Sequence, residues 1–295
     1  MDSRFDPSLL ARLGNLGLIA RMVVEGFLSG VHKSPFKGFS VEFAEHRQYY
    51  PGDEIRHIDW RAFGKTDRYF IKEHEEETNL QAHLLVDASG SMAYRGKGVS
   101  KFVYAQYVAA SLAYLMLHQR DAVGLTVHDR NVRAAVPPRS HSKQLPHLLH
   151  VLEQSQPGTE GGMAPLWQRL AGQLRRRGLV VILSDCFEPL PELVYALRSL
   201  RHRGQEILLL HVLAPDEIEF PFDRVSQFRS LEQAADQRLI DPRQVRAEYL
   251  RNFESFCREL RTQTAGMQID YHLLRTDEPV DRALGIYLSK RQERR

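Results

Sequence analysis

Asp87, Ser89 and Ser91 stand at alternate positions in the stretch His83-Leu-Leu-Val-Asp-Ala-Ser-Gly-Ser-Met92. On an extended backbone, successive side chains point to opposite sides, so one carboxylate and two hydroxyls can face the same way. Oxygen ligands without nitrogen or sulfur suit a hard cation such as magnesium or manganese, with calcium a further candidate. The same residue types also cap backbone donors in ordinary strand-to-helix turns. Taken alone, the pattern favours a turn, and the rest of the chain has to decide.

The elements around it do so. Leu84-Leu85-Val86 ends abruptly in those polar residues, as a strand buried on both faces of a parallel sheet does when it emerges into a loop. Ligands of open α/β sheets bind in the crevice outside such strand ends. Two more oxygen-bearing residues recur in matching places. Thr159 lies in the Gly-rich loop 156–162 before a helix, and Asp185 closes the apolar run 179–185. If the two strands are neighbours, Asp87, Ser89, Ser91, Thr159 and Asp185 converge on one crevice. That order is far more specific than its first part, and the cation becomes the favoured reading.

The remaining periodicities predict what carries these residues. Apolar positions between 1 and 30 recur at roughly helical spacing but are interrupted by Gly14, Gly17 and Gly26, predicting one or two short helices that pack on their own domain. Helices follow over 100–120, 142–154, 163–177 and 192–203. Strands follow over 123–127, 132–136, 179–185 and 206–213, the first two joined by Asp129-Arg130-Asn131. Two short strands, 227–231 and 237–240, break that rhythm. Asp241-Pro242 then caps a long helix ended by Gly266, and a strand over 267–274 and a helix over 280–288 close the chain. Alternating strands and helices predict an α/β fold with a doubly wound, mostly parallel sheet. The organisation reads as an N-terminal accessory region of helices and short strands (1–78), a core (79–221), a strand insertion packing on the accessory region (222–241) and a helix-strand-helix completion of the core (242–295).

Composition removes several functional classes. With 295 residues, 43% hydrophobic and 26% charged, the chain is an ordinary globular protein, and its net charge of +3 gives no reason to expect nucleic acid. The basic clusters at 175–177 and 290–295 read as solvated helix ends. Two cysteines, Cys186 and Cys257, make no disulfide framework or metal motif. No signal-peptide order stands at the start, and the apolar stretch 102–117 is too short and too interrupted to span a bilayer. A cytoplasmic protein with a buried helix over 102–117 and no membrane segment is expected.

Residues 39–78 have a different texture. Phe39, Val41 and Phe43 alternate with polar residues, Tyr69-Phe70-Ile71 begins a second strand, and Tyr50-Pro51-Gly52-Asp53 is a strong turn signal. A catalytic reading would pair Asp53 or Asp59 with His57. An ion-pair network around Trp60 is favoured, because no nucleophile is adjacent.

The order Asp87-x-Ser89-x-Ser91, Thr159, Asp185 resembles the metal-ion-dependent adhesion site of von Willebrand factor A domains, over roughly residues 79–213. The upstream set Arg47, Tyr50, Pro51, Gly52, Asp53, Arg56, Asp59 and Trp60, with Lys72 and Glu76 behind it, resembles the bacterial domain-of-unknown-function family 58. That resemblance extends to Phe228-Arg-Ser-Leu-Glu232, the Asp241-Pro242 helix, Ile269-Asp-Tyr271 and Thr276-Asp277. It implies a Rossmann-type, von Willebrand factor A-like core. The serines and threonine would ligate magnesium or manganese, and the aspartates would ligate or hold water around it. Members are often encoded beside MoxR-class AAA+ ATPases, which implies such a partner, or a client protein contributing an Asp or Glu to the metal. Metal-dependent protein binding in the assembly, maturation or metal insertion of clients follows from the resemblance.

Enzyme readings fare worse. A phosphatase of haloacid-dehalogenase type would need an aspartate where Ser89 stands, and a G-x-S-x-G elbow would need glycine at Asp87. No H-E-x-x-H or G-x-x-x-x-G-K-[ST] motif occurs. A metal-dependent hydrolase or nuclease using Asp87 and Asp185, with His57 or His83 as base, is the alternative. The chain is expected not to be an enzyme.

Overall fold

The computed structural model describes residues 5–31, 46–48, 70–72, 80–158, 162, 164–174, 177–232 and 237–292. They form two compact units, Met1–Phe27 with Leu80–Arg295, and Leu28–Asn79. The first unit begins with helix α1 (Pro7–Leu10), capped by the Asp6 carboxylate, and a 3-10 turn that ends at Gly14 with φ of 63°. Helix α2 (Leu16–Val31) starts here and is longer than its glycines predict. Gly26 does not break it, because the glycine makes room: a Cβ there would meet the Phe5 ring at 2.4 Å. Ile19, Ala20, Val23 and Val24 are buried, so residues up to Phe27 group with the core and not with an accessory region of residues 1–78.

In the second unit, strands β1 (His46–Gln48) and β2 (Phe70–Lys72) pair antiparallel, with Arg47 opposite Ile71 and Lys72 opposite His46. Residues 39–43, Tyr50, Pro51, Gly52, Asp53, Arg56, His57, Asp59, Trp60 and Glu76 lie outside the described residues.

The main sheet is built from β3 (Gln81–Asp87), β4 (Ala122–His128), β5 (Val132–Arg139), β6 (Leu179–Ser184), β7 (Glu206–Leu213) and β10 (Asp270–Arg275). Its spatial order is β10-β7-β6-β3-β4-β5. All neighbours are parallel except β4 and β5, the hairpin joined through Asp129-Arg130-Asn131. Every residue of β6 is buried, as its unbroken apolar run requires of a central strand covered on both faces. Covering the sheet are α3 (Lys101–His118), α4 (Gln144–Gln154), α5 (Ala164–Gln173), α6 (Leu190–His202), α7 (Pro215–Glu219), α8 (Pro242–Gly266) and α9 (Asp281–Gln292). The doubly wound α/β sheet is therefore present. Among the described residues, no helix is long and apolar enough to cross a membrane.

Helix ends follow the expected chemistry. Ser100 accepts from the Val103 N–H at the start of α3, and Asp241 from the Arg243 N–H, ahead of Pro242, at the start of α8. Strand β10 begins three residues later than its apolar pattern predicts. Met267 and Gln268 are used to turn the chain out of α8, with Gln268 at φ of 54°. The basic tail is also not a solvated end throughout. Lys290 pairs with Asp270, and Arg291 pairs with the buried Asp121 and donates to the Tyr287 hydroxyl at 2.8 Å. The short strands β8 (Ser226–Arg229) and β9 (Gln237–Ile240) form an antiparallel pair.

His128, the last residue of β4, locks helix α5 to the sheet. Its Nε2 accepts from the Trp167 indole N–H at 3.2 Å, and its Nδ1 lies 3.2 Å from the Asp129 carbonyl, which fixes the neutral Nδ1–H form. Burial pushes its pKa down to about 4, against a raising pull from Asp129. A depressed folded value means full stability above the ordinary 6.5 and progressive loss as pH falls towards 4. Urea unfolding between pH 6.5 and pH 5 should thus lose up to about 1.4 kcal/mol per pH unit from this residue. His128→Asn keeps an acceptor for the indole and does not titrate, so it should flatten that slope. An unchanged slope would move the acid sensitivity to His83 and His211, whose pKa values burial also lowers to about 4.

Candidate functional site

From β3 the chain runs outward through β4 and β5, then returns to the other side of β3 and runs through β6, β7 and β10. The β3–β6 boundary is therefore the switch point of the sheet, where open α/β folds bind ligands. Asp87 ends β3, and Asp185 directly follows Ser184, the last residue of β6. The apolar residues of both strands are driven into the core, so the first polar residue after each run is delivered to the same crevice.

Hydrogen bonds fix the loop that follows. Asp87 Oδ1 accepts from the Ser89 N–H at 2.8 Å, and Asp87 Oδ2 accepts from the Ser184 hydroxyl at 2.7 Å. Ser184 Oγ also accepts from the Cys186 N–H at 2.9 Å, which holds Cys186 in a left-handed conformation with φ of 54°. The Ser89 and Ser91 hydroxyl oxygens lie 3.1 Å apart. Ala88 donates to the His128 carbonyl and accepts from the Gly158 N–H, both at 2.6 Å, so the loop is tied to β4 and to the chain just before Thr159. Thr159 itself lies outside the described residues.

Asp185 is held by a residue the sequence pattern did not single out. Lys101, at the start of α3, places its Nζ 2.7 Å from Asp185 Oδ2 and 2.6 Å from Glu217 Oε1. The Lys101 and Asp185 side chains are each 1% exposed. Glu217 on α7 also accepts from the Ala214 N–H through Oε2 at 2.8 Å. Burial works to raise the Asp185 pKa, but the Lys101 ammonium overcomes it and holds the carboxyl below its usual range. Among the described residues, no ammonium contacts Asp87. Burial, then the charge of Asp185, pushes its pKa up to about 7. Glu232, in the connection between β8 and β9, is raised by burial and by Asp185, while Ser91 pulls it down through its hydroxyl and backbone N–H. Among the described residues, the Lys101 ammonium thus serves Asp185 and Glu217, while Asp87 and Glu232 lie near Asp185 with no ammonium of their own.

The residues fit a divalent cation of the hard class. Neighbouring ligands of an octahedral ion at roughly 2.1 Å are about 3 Å apart. The Ser89 and Ser91 oxygens already have that spacing. Glu232 Oε1 is buried with no hydrogen-bond partner, and an orphaned carboxylate oxygen beside them is what a cation would satisfy. Among the described residues, no group of three or more His, Cys, Asp or Glu side chains could hold a metal. A cation here would therefore depend on the serines.

The structure brings Asp87, Ser89, Ser91 and Asp185 together, as their spacing implies. It separates His83 from them: the histidine lies four residues back in β3, about 13 Å along the strand. Its Nε2 pairs with Thr126 Oγ1 at 2.9 Å instead. Sequence reasoning missed Ser184, Lys101 and Glu217. A lone lysine opening an otherwise apolar helix was the available signal for Lys101. Cys186 and Cys257 are both free, and burial raises the Cys186 thiol well above its ordinary value, against a redox role.

The family model described as protein of unknown function DUF58 matches residues 45–256. The chain belongs to this family. Uncharacterized proteins of Mycobacterium bovis and Mycobacterium tuberculosis are 29% identical over 219 residues, which is 73% of this chain and 68% of theirs. Among solved structures, the conserved hypothetical protein BatB from Bacteroides thetaiotaomicron is similar in fold. It shares 16% identity, with a TM-score of 0.51 over 72% of this chain and 99% of that one. An aerotolerance-related membrane protein from Bacteroides fragilis is 18% identical, with a TM-score of 0.50 over the same shares of the two chains. The likeness is one of fold: a mixed α/β architecture around a mostly parallel central sheet.

The Lys101 contacts make a direct prediction for this DUF58 protein. Lys101→Met leaves Asp185 and Glu217 facing each other without their ammonium. Breaking a buried pair by removing one partner costs on the order of 3–5 kcal/mol. Urea unfolding in divalent-free buffer should show a loss of that size. A loss under about 1 kcal/mol would mean that the carboxylates relax or protonate without penalty.

Proposed function

We propose that this chain is a protein-binding module that recognises an acidic side chain through a divalent cation, magnesium or manganese. Ser89, Ser91 and Thr159 would hold the ion, with Asp87 and Asp185 beside or behind them. The observation that carries this reading is the pair of serine oxygens 3.1 Å apart at the switch point, among carboxylates with too little positive charge. A fold of von Willebrand factor A type is in keeping with a protein-interaction role.

When bound, the ion supplies a Lewis-acidic centre with a coordination position that an incoming Asp or Glu can fill. Neutral hydroxyl ligands leave it more of its charge than a cage of carboxylates would. Beside Asp185 opens a cavity of about 450 Å³ lined in part by Phe187, Tyr249, Phe253 and Phe256. Phe187 is 71% exposed, so an apolar side chain next to the partner's carboxylate would find an aromatic wall. The partner is a MoxR-class AAA+ ATPase or its client, with the pair acting in the cytoplasm on assembly, maturation or metal insertion. No turnover is proposed. Among the described residues, neither Ser89 nor Ser91 has a histidine hydrogen-bond partner, and His83 stands towards the far end of its strand.

Calorimetry should detect manganese binding to the wild type and its loss in Asp87→Ala and Ser89→Ala, with unchanged circular dichroism. Affinity for the co-purified ATPase or client should fall about thirty-fold or more with chelator or with Ser89→Ala, as loss of one side of a buried charge contact implies. Partner binding indifferent to both would place the interface on another face. A metal-dependent hydrolysis abolished by Asp185→Ala would replace this reading with the hydrolase one.

A further inference from the structure

The position that a partner's carboxylate would take already has a carboxylate beside it. Gly90 lies between the two serines, and a Cβ on it would meet the Leu231 carbonyl oxygen at 2.3 Å and Glu232 Cγ at 3.3 Å. Backbone from the β8–β9 connection therefore rests directly on the serine loop, and only glycine permits that approach. The Glu232 N–H donates to Ser230 Oγ at 3.2 Å, a local turn that orients the residue. Its carboxylate faces Ser91, with Asp185 and Glu188 the like charges around it. Its Oε1 is buried without a partner. Two carboxylates, Glu232 and Asp185, are thus held near one another at the serines with no ammonium on Glu232.

The seat of this connection is uneven. At its base, Phe228 of β8 packs on Phe220 with ring centroids 6.2 Å apart and on Phe222 at 5.5 Å, and Phe220 lies 4.5 Å from Tyr249 of α8. Leu231 is 45% exposed. An aromatic cluster anchors the strand at its base, while over the serine loop Leu231 turns its side chain outward and Glu232 is half-buried.

We propose that Glu232 is an intramolecular carboxylate ligand of the cation held by Ser89 and Ser91, occupying the position that a partner's Asp or Glu must win. The inference rests on the cation reading above. It makes Glu232 a built-in competitor: a partner's carboxylate gains that coordination position only by displacing Glu232.

The probe is manganese, read by calorimetry and by the water-proton relaxation it causes, on wild type, Glu232→Ala, Gly90→Ala and Asp87→Ala, each checked for folding by circular dichroism. In Glu232→Ala, manganese should bind about tenfold more weakly, and each bound ion should relax water more strongly because water enters the vacated position. Gly90→Ala, which displaces Leu231 and Glu232 while leaving every ligand residue unsubstituted, should raise relaxation per ion in the same way. A short peptide with one glutamate should bind manganese-loaded Glu232→Ala at least fivefold tighter than wild type, and its glutamine counterpart should show no such gain. Manganese binding in wild type and Glu232→Ala with equal affinity, equal relaxation and equal peptide affinity, but lost in Asp87→Ala, overturns the role of Glu232 and leaves the cation site standing. No manganese binding by the wild type overturns both.

Discussion

The structure depends on two buried carboxylates delivered side by side by two neighbouring strands. Asp87 and Asp185 are where they are because the apolar runs of β3 and β6 must be covered on both faces, and each run stops at its first charged residue. Neither charge is at ease there. Asp185 stays ionised because α3 begins with Lys101, and that ammonium is itself kept buried by a second carboxylate from α7. Asp87 shares its charge with Ser184 and with the N–H and hydroxyl of Ser89, and burial with Asp185 still pushes it towards neutrality. A loop tied to β4 through Ala88, a helix start and a short helix are therefore all held by one electrostatic demand. This demand accounts for a lysine in a helix whose other inward-facing positions are almost all apolar.

Much of this was legible in the residues, because apolar runs and alternating oxygen ligands are local signals. The strands 179–185 and 206–213, the β4–β5 hairpin and the Asp241-Pro242 cap each announce themselves within a few positions. What escaped depends on distance along the chain. Lys101 and Glu217 are 116 residues apart, and nothing near either one says that the other is its partner. The extent of α2 escaped for a related reason. Gly26 looks like a helix breaker until Phe5 is seen to fill the space its missing side chain leaves. Tertiary packing overrides local propensity at such points. The tail misled in the opposite way: a run of cations reads as solvated, whereas Lys290 and Arg291 close onto Asp270 and Asp121.

The fixed and the exchangeable positive charges at the site have different tasks in the proposed reading. Lys101 is a permanent counter-charge: its pKa is raised further by Asp185 and Glu217 against the opposing effect of burial, so it keeps its proton over any physiological range. It neutralises one side of the crevice whether or not an ion is present, so the fold does not depend on metal to tolerate Asp185. Among the described residues, the serine side has no such residue. There, Asp87 and Glu232 remain under-compensated, and in this reading a divalent ion would find its charge deficit beside the serines.

In the proposed reading, that division would tie ion and partner together thermodynamically. An ion held mainly by neutral hydroxyls binds weakly by itself, and a carboxylate facing Asp185 without an ion is repelled. Each ligand therefore raises the affinity of the other, and linkage requires the two factors to be equal. A residue of the same chain that supplies the carboxylate changes what this coupling does. Glu232 would let the ion bind before any partner arrives, converting partner binding from recruitment of metal into exchange of one carboxylate for another. Exchange costs little in charge, since the number of anionic ligands on the ion does not change. Selectivity then falls to what surrounds the carboxylate, and on this surface that is the aromatic wall of Phe187, Tyr249, Phe253 and Phe256.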